Sequence, residues 1–452
     1  MIMSLLITVL MSLSLPISTS NTWDEHIHYG RVAAESQLNK NSITKTDINF
    51  SNRSIVSSYD VEGRRYVSQM LDKSNTNERD IDSSKEYFIE NVDSAGGINT
   101  FYNTISGLPS ALIIWLSSMF ALPYTFMFIL GRAINGMIYS FIIYFAIKKL
   151  KSGKVILGMI ALIPTGIFQA STYNQDWWIT SFMILGMAYL FSEIQQPDKL
   201  ISLKEYIIIV GSIFLACGPK AIYFVMFLLV FLLKKEKFLE KKHFSLHLIT
   251  LSCLLILTAS SFLAPFILAG PGVGDVRGNM GGEAVVNATE QLRYIFSEPI
   301  EYTMVLLKHI GNYISPGSYG FLMTSFAFLG DISNKLAILI AAIAIAIFTD
   351  KNDYDIHTSN IRTRCFVFIA AFIIISLIST ALYISFTPVE SQVIHGVQER
   401  YLFPILFPVL LVLGSPKITN RIKPEWYVNI MLSVPVLLTL YGIGTLVIRL
   451  YY

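Results

Sequence analysis

Two acidic side chains and two histidines lie close together near the N terminus, at Asp24, Glu25, His26 and His28. A carboxylate in this segment is suited to act as a general base that removes the proton of a hydroxyl group. The same carboxylates and imidazoles are ordinary ligands of a divalent metal. An acidic first turn is also a common way for a helix to begin. The sequence therefore leaves three roles open: a catalytic base, a metal ligand and a helix cap.

Two cations lie beside apolar segments elsewhere in the chain. Lys220 is suited either to neutralise a phosphate as a point charge or to extend to the membrane surface by snorkelling. Arg400 is suited to bind a phosphate through two parallel hydrogen bonds. Glu399 offers an alternative, in which it forms an ion pair with the neighbouring Arg400.

Two more ionisable residues lie in or next to apolar segments, where a charge at the bilayer centre costs about 2.5–3.5 kcal/mol on insertion scales. Asp176 ends a polar turn before Trp177. It either faces a site shared with the other charges or belongs to a simple external loop with interfacial tryptophans. Arg132 lies inside its apolar segment, and we expect it to pair with a carboxylate in a structural role.

These charges are scarce in an apolar chain. Of the 452 residues, 53% are hydrophobic and 14% are charged, whereas a soluble domain is about 25% charged. Apolar runs near spanning length recur along the chain, which predicts an all-α polytopic membrane protein. The net charge of +3 gives no reason to expect a nucleic-acid partner. The three cysteines lie within apolar runs, so we expect packing roles for them and no disulfide framework.

Hydropathy predicts about 11 transmembrane helices. The predicted spans are residues 1–17, 124–147, 155–170, 177–191, 206–217, 221–233, 246–268, 336–348, 366–386, 402–413 and 427–448. Residues 108–122 are expected to be re-entrant or interfacial, and the first span is expected to stay uncleaved. Lys and Arg cluster in alternate loops, which the positive-inside rule assigns to the cytoplasm. The short pair 206–217 and 221–233 is expected to line a cavity, because unpaired backbone is not tolerated against lipid.

Two long connections are expected on the outer side of the membrane. The first covers residues 21–107, and its polar middle, 39–93, is expected to be a mobile insertion. The second covers residues 269–335 and contains an amphipathic stretch, 287–313, expected to lie on the outer leaflet. Together with the spans they form one membrane domain over residues 1–452. This topology brings most of the unusual charges to the outer face.

The order of several motifs resembles the bacterial membrane family catalogued as domain of unknown function 2142. The motifs are Asp24-Glu25-His26-Ile27-His28-Tyr29, Leu108-Pro109, Arg132-Ala133-Ile134-Asn135, Pro164 with Gln169-Ala170-Ser171 and Asp176, Lys220, and Gln398-Glu399-Arg400-Tyr401-Leu402-Phe403-Pro404. The resemblance covers most of the chain, and the order of the motifs is more specific than any one of them. Glu399 stands where the family usually has glycine, which affects the local charge at Arg400.

The resemblance implies a fold like the GT-C class of membrane glycosyltransferases, in the cytoplasmic membrane of a bacterium. Such enzymes take a sugar from a polyprenyl-phosphate carrier and transfer it to a glycan or lipid-linked acceptor at the outer leaflet. The implied catalytic residue, a base or metal ligand, is Asp24 or Glu25. The implied substrate and phosphate contacts are His28, Asp176, Lys220, Gln398, Arg400 and Tyr401. The implied supporting residues are Arg132, Asn135 and Glu399.

Two further questions stay open at this point. No cofactor is required by the sequence, but a divalent metal held by Asp24, Glu25, His26 and His28 is compatible with it. The function also has alternatives: a transporter or flippase for a lipid-linked saccharide, and an oligosaccharide polymerase or non-catalytic assembly partner. The lack of a recognisable glycine-rich nucleotide motif favours a lipid-linked donor, and the lack of an evident internal repeat disfavours a transporter.

Overall fold

The computed structural model describes residues 1–16, 22–36, 104–120, 122, 124–268, 286–350, 352–414 and 420–451. Within these ranges the only β pairing is an isolated bridge between Ser325 and Asp331, so the all-α prediction is confirmed there. The predicted mobile insertion, 39–93, lies outside the described residues. The helices are α1 (Ile2–Ser14), α2 (Glu25–Glu35), α3 (Leu108–Met119), α4 (Tyr124–Lys149), α5 (Lys154–Ala161), α6 (Pro164–Ala170), α7 (Asp176–Ile194), α8 (Leu203–Cys217), α9 (Phe227–Val230), α10 (Lys241–Leu268), α11 (Ala288–Ser297), α12 (Pro299–Tyr313), α13 (Tyr319–Met323), α14 (Leu336–Thr349), α15 (Asp355–Thr358), α16 (Ile361–Ser385), α17 (Phe403–Leu413) and α18 (Pro424–Tyr451).

Five helices of the described chain are long and apolar enough to cross a bilayer. They comprise Phe126–Lys149, Asp176–Ile194, Lys241–Leu263, Ile361–Ser385 and Pro424–Tyr451. A rise of 1.5 Å per residue makes helices of this length comparable to a hydrocarbon core of about 30 Å. Helix α7 is the most buried of the five and packs against α4, α8 and α17. Its first residue is Asp176, so one end of the central helix carries an ionisable group.

The predicted continuous span 155–170 is wrong in the structure, which contains two short helices, α5 and α6, instead. The break falls at Leu162 and Ile163, immediately before Pro164. A proline ring excludes the helical conformation at the preceding residue, and Ile163 has φ −55° and ψ 133°. The polar turn that precedes α7 therefore follows a short helix that is buried along its whole length.

The predicted helix 221–233 is also replaced by a different structure. Helix α8 begins with a capping box between Ser202 and Glu205, but after residues 218–220 the chain forms a 3-10 helix, Ala221–Met226, and then the single turn α9. Most of this segment is buried against α10 and α16. Lys220 immediately precedes the buried segment, and its side chain reaches Asp176 at the N-terminal end of α7.

The amphipathic stretch predicted at 287–313 forms two helices, α11 and α12, in the structure. The break falls at Glu298, and Pro299 is the first residue of α12. The side chain of Asn287 caps α11 by accepting hydrogen bonds from the backbone N–H groups of Thr289 and Glu290, which is a common way to satisfy the first turn of a helix.

The far end of α7 is held by a buried ionic cluster. Glu193 is fully buried, and its carboxylate lies 3.0 Å from Lys149 Nζ, 3.1 Å from Lys199 Nζ and 2.9 Å from Lys237 Nζ. Lys149 is in the last turn of α4, so the cluster ties two central helices together. Both ends of α7 are therefore fixed by charge, one by this cluster and the other by the group that contains Asp176.

Candidate functional site

Four separated parts of the chain meet at the N-terminal end of α7. They are the turn before α2, the turn that ends at Asp176, the turn that ends at Lys220, and the 3-10 helix Glu399–Leu402. Each part supplies one charged side chain to a common cluster, which we call the charged cluster: Asp24, Asp176, Lys220 and Arg400.

Arg400 is the centre of the charged cluster. Its Nη1 donates to Asp176 Oδ2 at 2.7 Å and its Nη2 donates to Asp24 Oδ2 at 2.6 Å. Its Nε donates to Gln398 Oε1. The guanidinium also lies 5.2 Å from the ring centroid of Trp23 and 5.3 Å from that of Tyr401. With its side chain only 2% exposed, Arg400 is a buried charge whose nitrogens all have partners, as such a group requires.

Lys220 completes the neutralisation of Asp176. Its Nζ donates to Asp176 Oδ1 at 2.6 Å and lies 4.1 Å from the ring centroid of Tyr401. The two oxygens of Asp176 are thereby divided between the two cations. Lys220 is 23% exposed and Asp176 is 6% exposed. Because an ammonium group has three donors, Lys220 is the cation of the cluster best placed to bind an oxygen arriving from outside.

Asp24 is the most exposed member, at 37% of its side chain. Its φ is +54°, in the left-handed region that is unfavourable for a residue with a side chain and that persists where the surroundings demand it. Burial works to raise the pKa of Asp24, but the cations Arg400 and Lys220 outweigh it and hold the pKa below the usual aspartate value. Asp24 is therefore an accessible carboxylate that stays ionised at neutral pH.

Glu25 belongs to a different group, although it is adjacent to Asp24 in sequence. Its Oε1 accepts from Arg132 Nε at 2.8 Å and from the backbone N–H of Tyr173 at 2.9 Å. Its Oε2 accepts from Arg132 Nη2 at 2.7 Å and from the Thr22 hydroxyl at 2.6 Å. The side chains of Glu25 and Arg132 are 0% and 1% exposed. The sequence left Asp24 and Glu25 as alternatives for the base, and this geometry gives Glu25 a structural role.

A short polar turn, residues 171–176, links the two groups. Asn135 donates to the Thr172 carbonyl at 2.9 Å and accepts from the Ser110 hydroxyl at 2.8 Å, which fixes the turn on α4 and α3. Asn174 accepts from the backbone N–H of Asp176 at 2.8 Å and donates to the Trp23 carbonyl at 3.0 Å. The turn therefore sets the position of Asp176 relative to the residue before Asp24.

Two tyrosines hold the segment that carries Arg400. The Tyr313 hydroxyl donates to the Gln398 carbonyl at 2.6 Å, and the Tyr223 hydroxyl donates to the Tyr401 carbonyl at 2.8 Å. The alternative in which Glu399 is the ion-pair partner of Arg400 is wrong, because the carboxylate partners of Arg400 are Asp176 and Asp24. Burial raises the pKa of Glu399, in contrast to a carboxylate neutralised by a cation.

His28 lies one turn after Asp24 on α2 and is half-buried. Burial, reinforced by the nearby Arg31, lowers the pKa of His28 to about 3, while Asp24 and Asp176 act in the opposite direction. The imidazole is therefore uncharged at neutral pH and is suited to hydrogen bonding. The side chain of His26, which the sequence placed among possible metal ligands, lies outside the described residues.

The geometry of the described side chains gives little support to a metal site. Across the side chains that the structure describes, no group of three or more His, Cys, Asp or Glu residues is arranged to hold a metal ion. Glu25 is turned into its ion pair with Arg132, away from Asp24, whose Oδ2 accepts from Arg400. Asp24 and Glu25 are therefore each engaged by an arginine, and we derive no chemistry through a metal.

The residues that sequence reasoning missed are Trp23, Asn174, Tyr223 and Tyr313. The asparagine two residues before Asp176 is typical of a turn in which a side chain accepts from the backbone two residues on, and this pattern could have identified Asn174. The two tyrosines act through main-chain carbonyls that are distant in sequence, so no local pattern indicates them.

Replacing Arg132 by Met leaves Glu25 as an uncompensated buried charge. We expect Arg132→Met to lower the free energy of unfolding by about 3–5 kcal/mol, measured by denaturant unfolding in mild detergent. The matched control is Arg293→Met, because Arg293 pairs with Glu290 on the surface and such pairs contribute less than about 1 kcal/mol.

The double variant Glu25→Gln/Arg132→Met removes both charges and should recover part of the lost stability. Equal losses for Arg132→Met and Arg293→Met would contradict the structural role of the buried pair, as would strictly additive effects in the double variant.

Comparison with known proteins identifies one family. The sequence model of the family described as "Predicted membrane protein (DUF2142)" matches residues 5–409. No curated protein and no solved structure matches the chain. The matched region includes every member of the charged cluster and the pair of Glu25 and Arg132, and it covers most of the sequence. The family predicted from the order of the motifs is thus confirmed, and the chain belongs to the DUF2142 family of predicted membrane proteins.

Proposed function

We propose that this protein transfers a sugar from a polyprenyl-phosphate carrier to a hydroxyl group of a cell-surface glycan or lipid-linked acceptor. The observation that carries the proposal is the pairing of one accessible carboxylate with two cations. Asp24 is 37% exposed, and its Oδ2 lies 2.6 Å from Arg400 Nη2, in a cluster that also contains Lys220. A cation stabilises the charge that develops on a phosphate leaving group, and a base assists removal of the proton of a hydroxyl nucleophile.

The reaction that fits this arrangement is a single displacement at the anomeric carbon. The acceptor oxygen forms a bond to that carbon while the bond from the carbon to the phosphate oxygen breaks. Asp24 accepts the proton of the acceptor hydroxyl, and the electron pair of the broken bond leaves with the polyprenyl phosphate. The lowered pKa keeps Asp24 ionised at neutral pH, so its carboxylate is in the form that can accept a proton.

The two cations take different parts in this proposal. Lys220 is partly exposed and would bind the phosphate of the donor directly. Arg400 is almost fully buried and uses its nitrogens for Asp24, Asp176 and Gln398. We therefore assign Arg400 mainly to positioning Asp24 and to the positive field at the leaving group, and contact with phosphate would require Asp24 to move.

The topology that goes with this function is a GT-C-like bundle of about 11 transmembrane helices in the cytoplasmic membrane. The five long helices account for part of that number. The shorter apolar segments Ile2–Ser14, Ile105–Met119, Ala221–Val230 and Ser333–Thr349 are candidates for partial or tilted crossings. The positive-inside rule applied to the loops supports an outer location for the charged cluster.

Asp24→Asn removes the proposed base with little change in size. We expect transfer to fall by about 100- to 10,000-fold, measured as polyprenyl phosphate released when the purified protein is given a polyprenyl-phosphate sugar together with an acceptor that carries a hydroxyl group. The control is Glu290→Gln, which alters an exposed carboxylate on α11 and should leave transfer unchanged.

Transfer by Asp24→Asn at the wild-type rate would contradict the base assignment. In cells, loss of both the modification and the export of the polymer would favour a flippase instead. Continued export of an unmodified polymer is the result expected of a transferase.

Lys220→Met tests the phosphate contact and the pH dependence together. Loss of a charged hydrogen bond costs about 1.5–3 kcal/mol, so the KM for the donor should rise by about 10- to 150-fold. Lys220 is one of the groups that lower the pKa of Asp24, so its removal should raise that pKa. Because activity needs the ionised carboxylate, the acid limb of the kcat profile should move to higher pH. A profile that moves to lower pH, or a KM that does not change, would contradict the assignment.

A further inference from the structure

An apolar groove lies among the helices that follow and precede the segment carrying Arg400. Its volume is about 620 Å³, and it is formed by the end of α12 and by α13, α14, α16 and α17. Among its lining residues none is charged, and the hydroxyl of Tyr319 donates to the Ile314 carbonyl at 3.1 Å. Water gains little in such a space, so the groove is suited to hydrocarbon.

One residue of the groove belongs to the short helix that carries Arg400. Leu402 lines the groove and is the last residue of the 3-10 helix that carries Arg400. The preceding residue, Tyr401, has its ring 4.1 Å from Lys220 Nζ and 5.3 Å from the Arg400 guanidinium carbon. A molecule with a charged head and an apolar chain could therefore place its head at the charged cluster and its chain in the groove.

The length of the groove matches one leaflet of a bilayer. Its wall follows α17 from Leu402 to Leu413, and at 1.5 Å per residue this is about 17 Å along the helix. The hydrocarbon core of a bilayer is about 30 Å thick, so the groove reaches about half of it. Two of its other walls, α14 and α16, are apolar helices of the kind that lies in a membrane.

We propose that this groove binds the hydrocarbon chain of the polyprenyl-phosphate donor, whose phosphate lies at Lys220. The inference rests on the proposed function for the identity of the head group, but binding of the chain does not require any sugar transfer. The closeness of Leu402 to Arg400 along one short helix, an apolar lining and a reach of one leaflet together favour a single chain anchored by its phosphate.

Ala371 and Ala344 allow the groove to be filled by substitution. Both line it, from α16 and α14 respectively, and Ala371→Trp or Ala344→Trp should block the chain. The matched control is Ala341→Trp, because Ala341 is exposed on the same helix as Ala344 and is not among the lining residues. Correct folding of each variant is checked by its thermal unfolding.

The measurement is the affinity of the purified protein for undecaprenyl phosphate and for geranyl phosphate, by native mass spectrometry in detergent. The wild type should bind the longer chain at least about tenfold more tightly, since buried chain atoms contribute affinity. Ala371→Trp and Ala344→Trp should abolish that preference and leave geranyl phosphate binding unchanged, while Ala341→Trp should behave as the wild type. Lys220→Met should weaken both ligands by a similar factor.

Retention of the preference in both groove variants would overturn the proposal, as would an equal effect of Ala341→Trp. A second measurement requires no variant: undecaprenyl phosphate with a photoreactive group on its chain should label α14, α16 or α17 of the wild type. Labelling confined to other helices would refute the groove. If excess phospholipid displaces the label and excess unlabelled undecaprenyl phosphate does not, the occupant is bulk lipid and the proposal is wrong. Neither readout involves sugar transfer, so the groove and the transferase activity can fail separately.

Discussion

The burial of Arg400 is the constraint on which the rest of the site depends. A guanidinium that is almost fully removed from water must be compensated by carboxylates in good geometry, or the folded state loses several kcal/mol. Its two carboxylate partners, Asp176 and Asp24, are 224 and 376 residues away along the chain. The two ion pairs of Arg400 therefore bring together the start of the chain, the N-terminal end of α7 and a segment in the last third of the sequence.

Asp24 and Glu25 are adjacent in sequence, but their surroundings give them different partners. Glu25 is fully buried against Arg132 and fixes the start of α2 to α4 and to the turn before α7. Asp24 precedes it in a left-handed backbone conformation and turns its carboxylate the other way, to the accessible edge of the cluster. The rigid pair thereby fixes the position of Asp24, which its proposed role requires, because a base must be held within hydrogen-bonding reach of the proton it removes.

Much of the site follows from the sequence, because charge is costly in an apolar chain and the few ionisable residues stand out. Asp24, Asp176, Lys220 and Arg400 all stand out for this reason, and the structure brings them together. The all-α fold follows from composition. The sequence does not distinguish Glu25 from Asp24, since their separation depends on Arg132 and Tyr173, which are distant in sequence. It also does not reveal the groove, because a residue such as Ala371 that lines a cavity looks the same as one that faces lipid. The breaks at Pro164 and Pro299 follow from local chemistry, but the hydropathy of both stretches obscures them.

The position of the donor phosphate tests the central claim most directly. A structure of the protein determined by electron cryo-microscopy with undecaprenyl phosphate bound would show it. We expect the phosphate within hydrogen-bonding distance of Lys220 Nζ, beside the carboxylate of Asp24, with Glu25 still paired to Arg132. A phosphate bound at the other end of α7, near Glu193 and its lysines, would contradict the account.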